Sequence, residues 1–235
     1  MTATGVATAR YLLTGYAASR RSVPPLIATA TVLVLLHAGG AADPALGYAT
    51  SAAVLLPIFA WAARQLLDTE PDVQRELTAV AVGGPGRAAG SALAAALVGT
   101  LPLVALALAW PWAVGAFVVP HGGPRIARDV LVGLAVHLLS AVPATVLGGW
   151  TSRAVLPDRG HSALTLLAGS LGAILLGLPR VPGLPWLAPP LAATLRAANS
   201  GSAGLLRALP GLSLHTVLWA IVVSAGYLAV RRRRA

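Results

Sequence analysis

The chain has 235 residues, of which 57% are hydrophobic and only 10% are charged, with a mean hydropathy of +0.77. This composition excludes an ordinary soluble domain and indicates an integral membrane protein. The net charge of +10 comes entirely from arginine, because lysine is absent, and we interpret it as a marker of membrane topology, not a nucleic-acid surface. Cysteine is absent as well, which excludes disulfides, thiolate metal sites and cysteine nucleophiles.

The first 22 residues predict a short helix that lies along the membrane surface. Val6, Ala9, Leu13 and Tyr16 recur at helical spacing, and arginines lie on or after the polar side. We expect this leader to turn into the first span at the Pro-Pro pair 24–25. A disordered leader is an equal alternative on this pattern. A signal peptide is disfavoured, because the polar leader is long and the later spans need a starting helix.

Six apolar runs are each about the length at which a helix crosses the ~30 Å hydrocarbon core. They cover residues 23–39, 46–67, 88–112, 130–150, 163–178 and 212–230. In this layout 12 of the 17 arginines lie on one side and 5 on the other. The positive-inside rule therefore predicts a multi-pass protein of the plasma membrane with both termini in the cytoplasm. Small residues in the fourth and fifth runs predict close helix contacts, namely at Ser140, Ala144, Gly148, Ala168 and Gly172.

Between the second and third runs lies a loop, residues 68–87, that holds four of the seven acidic residues. Thr69 at a cap position, Pro in the first turn and an acid three residues on predict a helix that runs to about Val82. Gly83 and Gly84 then end it, and Pro85 prevents its continuation.

This short helix has the charge pattern of a docking element for another protein. We expect it to expose Asp72, Arg75 and Glu76, with Leu77 and Val80 on its other side. Positive-inside counting places it in the cytoplasm. A solvated charged hairpin without a partner is the alternative, and the concentration of acid in an apolar chain favours docking.

The connection at 179–211 is framed by prolines and is neither a span nor a polar loop. Leucines alternate with arginine, asparagine and serine over 191–209. We predict a pair of short helices, broken at 199–204, that dip into the outer leaflet, with a surface loop as the alternative.

The candidate spans carry no carboxylate in their middle, and their one central ionisable group is His137. Ion-coupled transporters usually need such a group at mid-membrane, and a lone histidine is more often a hydrogen-bonded packing residue. The Gly-Ser-Ala-Gly run at 201–204 lacks the spacing of rhomboid-like proteases, and His, Asp and Glu do not cluster as in metalloenzymes. We expect no enzymatic activity in this chain itself. An ATPase would be a separate polypeptide, since a Walker A loop needs a lysine.

The leader, the six runs, the acidic helix and the proline-framed outer segment together resemble the permease subunit of an ABC-2 type transporter. In that family the loop between spans two and three carries a Glu, then a Pro shortly before an Arg, as Glu76, Pro85 and Arg87 do here. The resemblance implies one all-α permease domain over residues 1–235, with an interfacial leader (1–22), a coupling segment (68–87) and a re-entrant outer segment (179–211).

The resemblance also implies the roles of particular residues. Those expected to contact the ATPase are Asp72, Arg75, Glu76, Leu77, Pro85 and Arg87, and those expected at an outer gate are Pro185, Pro189, Pro190 and Leu195.

The partners implied are a cytoplasmic ABC ATPase, a second permease copy or a sister permease, and membrane lipid, with no nucleic acid. No cofactor is expected in this chain, and ATP and Mg²⁺ are expected in the ATPase. The cargo would be amphipathic or lipid-like and exported. A non-transporting structural or assembly protein and an ion-coupled secondary transporter are the alternatives.

Overall fold

The computed structural model describes residues 3–118, 126–178 and 183–233, and these residues form helices without a β-strand among them. A 3-10 turn covers Leu184–Leu187 and precedes α8. The α-helices in chain order are α1 Ala3–Ala18, α2 Val23–Leu36, α3 Pro44–Leu67, α4 Asp72–Ala81, α5 Pro85–Ala113, α6 Ile126–Trp150, α7 Arg159–Leu175, α8 Leu191–Ala198 and α9 Gly201–Arg233.

Four of these helices, α3, α5, α6 and α9, are long and apolar enough to cross a membrane. They correspond to the second, third, fourth and sixth predicted runs. The helices of the first and fifth runs are shorter: α2 has 14 residues and α7 has 17. At 1.5 Å per residue these two helices extend only about 21 and 25 Å. The described residues therefore contain four spanning candidates where the sequence predicts six spans.

Contacts between helix ends show that the helices alternate in direction. The Arg21 guanidinium, just before α2, donates to the backbone oxygen of Asp68 at the end of α3, and Arg153 after α6 bonds to the same residue. At the other ends of α6 and α9, near their first residues, the Ser202 hydroxyl donates to the Asp129 carboxylate at 2.9 Å. We call the first region, where α3 and α6 end, the arginine-rich end, and the second the opposite end.

The centre of the bundle is the contact between α3 and α6, where small residues let the two backbones approach closely. The Ser140 hydroxyl donates at 2.6 Å to the backbone oxygen of Ala52, and Ala144 is fully buried. A Cβ added at Gly148 would lie 2.7 Å from the backbone oxygen of Ala60. The predicted close packing of the fourth run is confirmed.

The corresponding prediction for the fifth run is wrong within this chain. Ala168 is exposed, and a Cβ added at Gly172 would meet no described atom within 4 Å. The reason is that α7 lies at the edge of the bundle. Its exposed leucines repeat at helical spacing and are Leu164, Leu167, Leu171 and Leu175.

The leader is helical, as predicted, but its inward face differs from the expected one. Leu12 and Tyr16 are buried against the end of α3 and the first half of α5, and Leu13 is packed beside them. Val6, which the periodicity placed on the apolar face, is 47% exposed. Helix α2 then begins at Val23 with prolines in its first turn, as expected.

The outer segment is partly as predicted. The 3-10 turn and α8 are short helical pieces that precede a break at 199–200. The predicted second short helix is not separate, because α9 begins at Gly201 and continues through Pro210 to Arg233. Proline removes one backbone donor, and here that loss does not end the helix. Residues 179–182 of the predicted segment lie outside the described residues.

Candidate functional site

The acidic helix α4 is a bounded element at the arginine-rich end. Its C-terminus has the two hydrogen bonds of a Schellman motif, from the Gly83 N–H to the Val80 oxygen and from the Gly84 N–H to the Ala79 oxygen. Both glycines have positive φ, of 81° and 132°. Pro85 then occupies the first turn of α5. The predicted stop signal is confirmed.

The start of α4 differs from the prediction. Pro71 occupies the cap position without a side-chain hydrogen bond, and Asp72 lies in the first turn. The Thr69 hydroxyl donates to the Gln65 oxygen of α3, so Thr69 extends the end of α3 and does not cap α4. The capping-box pattern indicated the helix correctly but assigned it the wrong cap.

The inner face of α4 is polar and tied to the rest of the chain. The Thr78 hydroxyl donates to the Glu70 carboxylate, which is only 6% exposed. The Arg75 guanidinium donates to the Asp72 carboxylate at 2.8 Å and to the Glu70 backbone oxygen at 3.1 Å. Arg75 was expected to be exposed, but its side chain is only 14% exposed. Through these two hydrogen bonds Arg75 stabilises the N-terminal end of α4.

The outer face of α4 carries an apolar stripe in the open. Val73, Leu77 and Val80 are exposed by 72%, 65% and 81%. Their i, i+4, i+7 spacing puts them on one side of the helix, and exposed Glu76 lies at the edge of this stripe. We call these three apolar residues the α4 stripe. A short helix that presents apolar side chains outward beside a carboxylate has the composition of a helix that binds in a groove.

The end of α3 connects α4 to the loop after α6. The Asp68 carboxylate accepts from the Arg153 backbone N–H at 2.7 Å and lies 3.5 Å from the Arg64 guanidinium. The Arg153 guanidinium donates to the Glu70 backbone oxygen and lies 3.6 Å from the Asp72 carboxylate. A displacement of α4 would therefore be transmitted to the α6–α7 loop.

Four of the six expected coupling residues come together at one cavity of about 390 Å³. Asp72, Arg75, Glu76 and Pro85 line it. Leu77 belongs to the α4 stripe, and Arg87 is exposed on the first turn of α5. Ala79 of α4 also lines the cavity, and the wall is completed by residues from elsewhere in the chain, namely Arg153, Ala154, Pro157 and Arg231.

Sequence reasoning missed Arg153 and Arg231 as members of this site. Both were counted only as topological charges, since each lies more than 60 positions from α4 along the chain. The α4 stripe is predicted only in part: the sequence pattern puts Leu77 and Val80 opposite the exposed charged residues, and the prediction does not include Val73. Apolar residues at i, i+4 and i+7 were the available signal.

The expected outer-gate residues lie at the opposite end and are packed. Pro189 and Pro190 are buried ahead of α8, and Leu195 contacts a core cluster formed with α3, α6 and α9. The Arg196 guanidinium donates to the Gly177 backbone oxygen just after α7. Pro185 lies in the 3-10 turn and is half-buried. In this structure α8 therefore covers the ends of α3, α7 and α9.

His137 is fully buried between α3 and α6 and is hydrogen-bonded, as the packing interpretation predicts. Its Nδ1 lies 2.8 Å from the Gly133 backbone oxygen, and its Nε2 lies 3.2 Å from the Ser51 hydroxyl. The rings of Tyr48 and Phe59 lie against it. This environment is typical of a structural histidine.

The described residues contain no group of three His, Cys, Asp or Glu side chains placed to hold a metal ion. Comparisons with protein-family models, curated proteins and solved structures find no match for this chain.

Proposed function

We propose that this chain is the permease subunit of an ABC transporter and that α4 docks on a separate ATPase subunit. The observation that carries the proposal is the α4 stripe, with Val73, Leu77 and Val80 exposed on a helix whose inner face is held by Glu70 and Arg75. Exposed apolar residues on a firmly anchored helix are unfavourable in water and favour a partner that covers them.

The anchoring of α4 supports a coupling role as well as docking. Arg153 forms hydrogen bonds with both Asp68 and Glu70, which lie in the segment between α3 and α4, so the α6–α7 loop would follow a movement of α4. Closure of an ATPase pair on ATP would thus re-angle the helices that end here. ATP and Mg²⁺ would be bound by the partner ATPase.

The energetic argument is independent of this geometry. A transporter moved by an ion gradient usually has an ionisable side chain at mid-membrane, and the buried His137 is engaged in packing. A chain without lysine has no Walker A loop of its own. An external ATPase is the energy source compatible with both facts.

In the proposed arrangement α2 and α7 also cross the membrane, which gives six spans with both termini in the cytoplasm. Their ends lie beside those of the four long helices, and a short apolar helix is accommodated by local thinning of the bilayer. The arginine-rich end faces the cytoplasm by the positive-inside rule. The chain pairs with a second permease, exports an amphipathic cargo and opens outward at α8.

The test is whether an ATP-binding protein with a Walker A lysine, encoded beside this chain, co-purifies with it. We expect a complex with the wild type and its loss when Glu76→Arg is combined with Arg87→Glu, because both side chains are exposed. A complex that survives this charge reversal would contradict the assigned docking surface. The absence of any associated ATPase would favour a structural or assembly role.

A further inference from the structure

A second cavity at the arginine-rich end has a different composition from the one beside α4. It has a volume of about 490 Å³ and lies where the turn before α2, the end of α3 and the start of α7 meet. Arg21, Arg64, Arg153 and Arg159 line it, and Asp68 is the only acidic residue among the described residues of its wall. Ligand pockets in proteins are commonly of this size.

The positive charge of this cavity is poorly compensated by the described residues. The Asp68 carboxylate is shared between Arg64 and the backbone N–H of Arg153. Among the described residues, the Arg21 guanidinium donates only to the backbone oxygen of Asp68, which carries no formal charge. Arg159 has no hydrogen-bond or ion-pair partner among the described residues.

Two neighbouring acids, Asp72 and Asp158, lie outside the cavity wall and have other partners. The Asp72 carboxylate is bound by Arg75 at 2.8 Å and lies farther, at 3.6 Å, from Arg153. Asp158 accepts from the backbone N–H of His161 and from its imidazole, and these bonds lower the pKa of its carboxyl. It is not part of the cavity wall.

The cavity also changes from charged to apolar along α3. Trp61 lines it two turns before Asp68, and seven residues of helix span about 10 Å. Leu156 and Pro157 contribute further apolar surface. The guanidinium groups at the rim match the phosphate of an anionic lipid. The indole side chain below them matches the glycerol and the start of the acyl chains, because tryptophan favours the headgroup level of a bilayer.

We propose that this cavity binds the phosphate headgroup of an anionic phospholipid from the leaflet at the arginine-rich end. The guanidinium groups of Arg21 and Arg159 contact the phosphate oxygens, and the glycerol and first methylenes lie against Trp61. The lipid would then join the start of α2, the end of α3 and the start of α7. The inference requires membrane insertion only and stands apart from the proposed transport role.

The experiment measures lipid binding to the full-length protein in neutral detergent by native mass spectrometry. We expect phosphatidylglycerol to bind at least about tenfold more tightly than phosphatidylcholine of the same acyl length. The double variant Arg21→Gln, Arg159→Gln should weaken phosphatidylglycerol binding by about thirtyfold, since each arginine near a membrane surface contributes about 1 kcal/mol. Inorganic phosphate at millimolar concentration should not compete.

The matched control is Arg10→Gln with Arg20→Gln, which removes the same charge from exposed positions of the leader and the turn after it. It should leave phosphatidylglycerol affinity within about twofold of the wild type. If the double variant of the cavity is unstable, Arg159→Gln alone suffices, because this side chain has no partner in the described part of the chain. About a fivefold loss is then expected.

Three results would overturn the inference. Equal affinity for the two lipids would exclude recognition of the charged headgroup. An equal loss in the cavity variant and the control would show diffuse attraction instead of a site. Displacement of the lipid by inorganic phosphate would assign the cavity to a soluble phosphate.

Discussion

The Asp68 carboxylate accepts a hydrogen bond of 2.7 Å from the backbone N–H of Arg153, 85 positions away in the sequence. This bond joins the end of α3 to the loop that follows α6. Asp68 also lies 3.5 Å from the Arg64 guanidinium, and both of these side chains are about 15% exposed. The hydrogen bond from the Arg153 N–H and the ion pair with Arg64 hold this partly buried carboxylate in place, so Asp68 fixes the loop after α6.

Replacing Asp68 with Asn should therefore lower stability. The amide keeps the shape but loses the charge-assisted bonds, and we expect a cost of about 1–3 kcal/mol. Thermal unfolding of the purified protein in detergent measures the change. Glu76→Gln removes a charge from an exposed residue of α4 and should leave the midpoint unaltered. Equal midpoints for the two variants would contradict the role given to Asp68.

The Schellman end of α4 makes a second prediction. Gly83 has φ of +81°, so Gly83→Ala should cost about 1–2 kcal/mol. The added Cβ would also meet the Arg87 guanidinium at 2.9 Å, which can move away. Gly90→Ala on α5 is the control, because its Cβ would meet nothing within 4 Å. It should stabilise the protein by about 0.5–1 kcal/mol. The unfolding midpoint should therefore fall in Gly83→Ala and rise in Gly90→Ala, relative to the wild type.

The packing of α3 on α6 makes a third prediction, which compares two helical glycines. Gly148→Ala would place a Cβ 2.7 Å from the backbone oxygen of Ala60, so the helices must separate at a cost of about 1–3 kcal/mol. Gly172→Ala on α7 would enter open space. Unfolding in detergent should show a lower midpoint for the first variant only. A similar loss in both would mean that α7 is packed as tightly as α6.

A fourth prediction concerns the pH dependence of stability and follows from the burial of Tyr16 in the leader helix. Desolvation raises the pKa of Tyr16 from 10.0 to about 12. The folded state thus favours the neutral phenol, so this contribution is complete below pH 10 and is lost as the pH rises towards 12. The unfolding midpoint should fall over this range in the wild type and less in Tyr16→Phe. Tyr11→Phe, at a residue that is 46% exposed, should behave like the wild type.

Local signals in the sequence predicted local structure well. The Gly83-Gly84 stop and the prolines at the starts of α2 and α5 act through backbone geometry within a few residues, so one chain segment suffices to predict them. Small residues at Ser140 and Gly148 likewise indicated a close contact, although not its partner helix.

Long-range pairing could not be predicted in this way. The bonds of Arg153 to Asp68 and Glu70 depend on how α3 and α6 pack, which no local pattern encodes. Helix α9 shows the same limit, because the proline-framed pattern predicts a separate short helix up to residue 209, whereas α9 runs from Gly201 through Pro210 to Arg233.

The most direct test of the proposed docking role of α4 uses the absence of cysteine from the chain. Leu77→Cys gives a unique attachment point in the α4 stripe for a short photo-crosslinker, and Val6→Cys on α1 gives a control that is 47% exposed. We predict that irradiation of native membranes joins the Leu77 site to a polypeptide with a Walker A lysine that also binds an ATP analogue. An adduct of that polypeptide with the Val6 site alone, or with neither site, would contradict docking through α4.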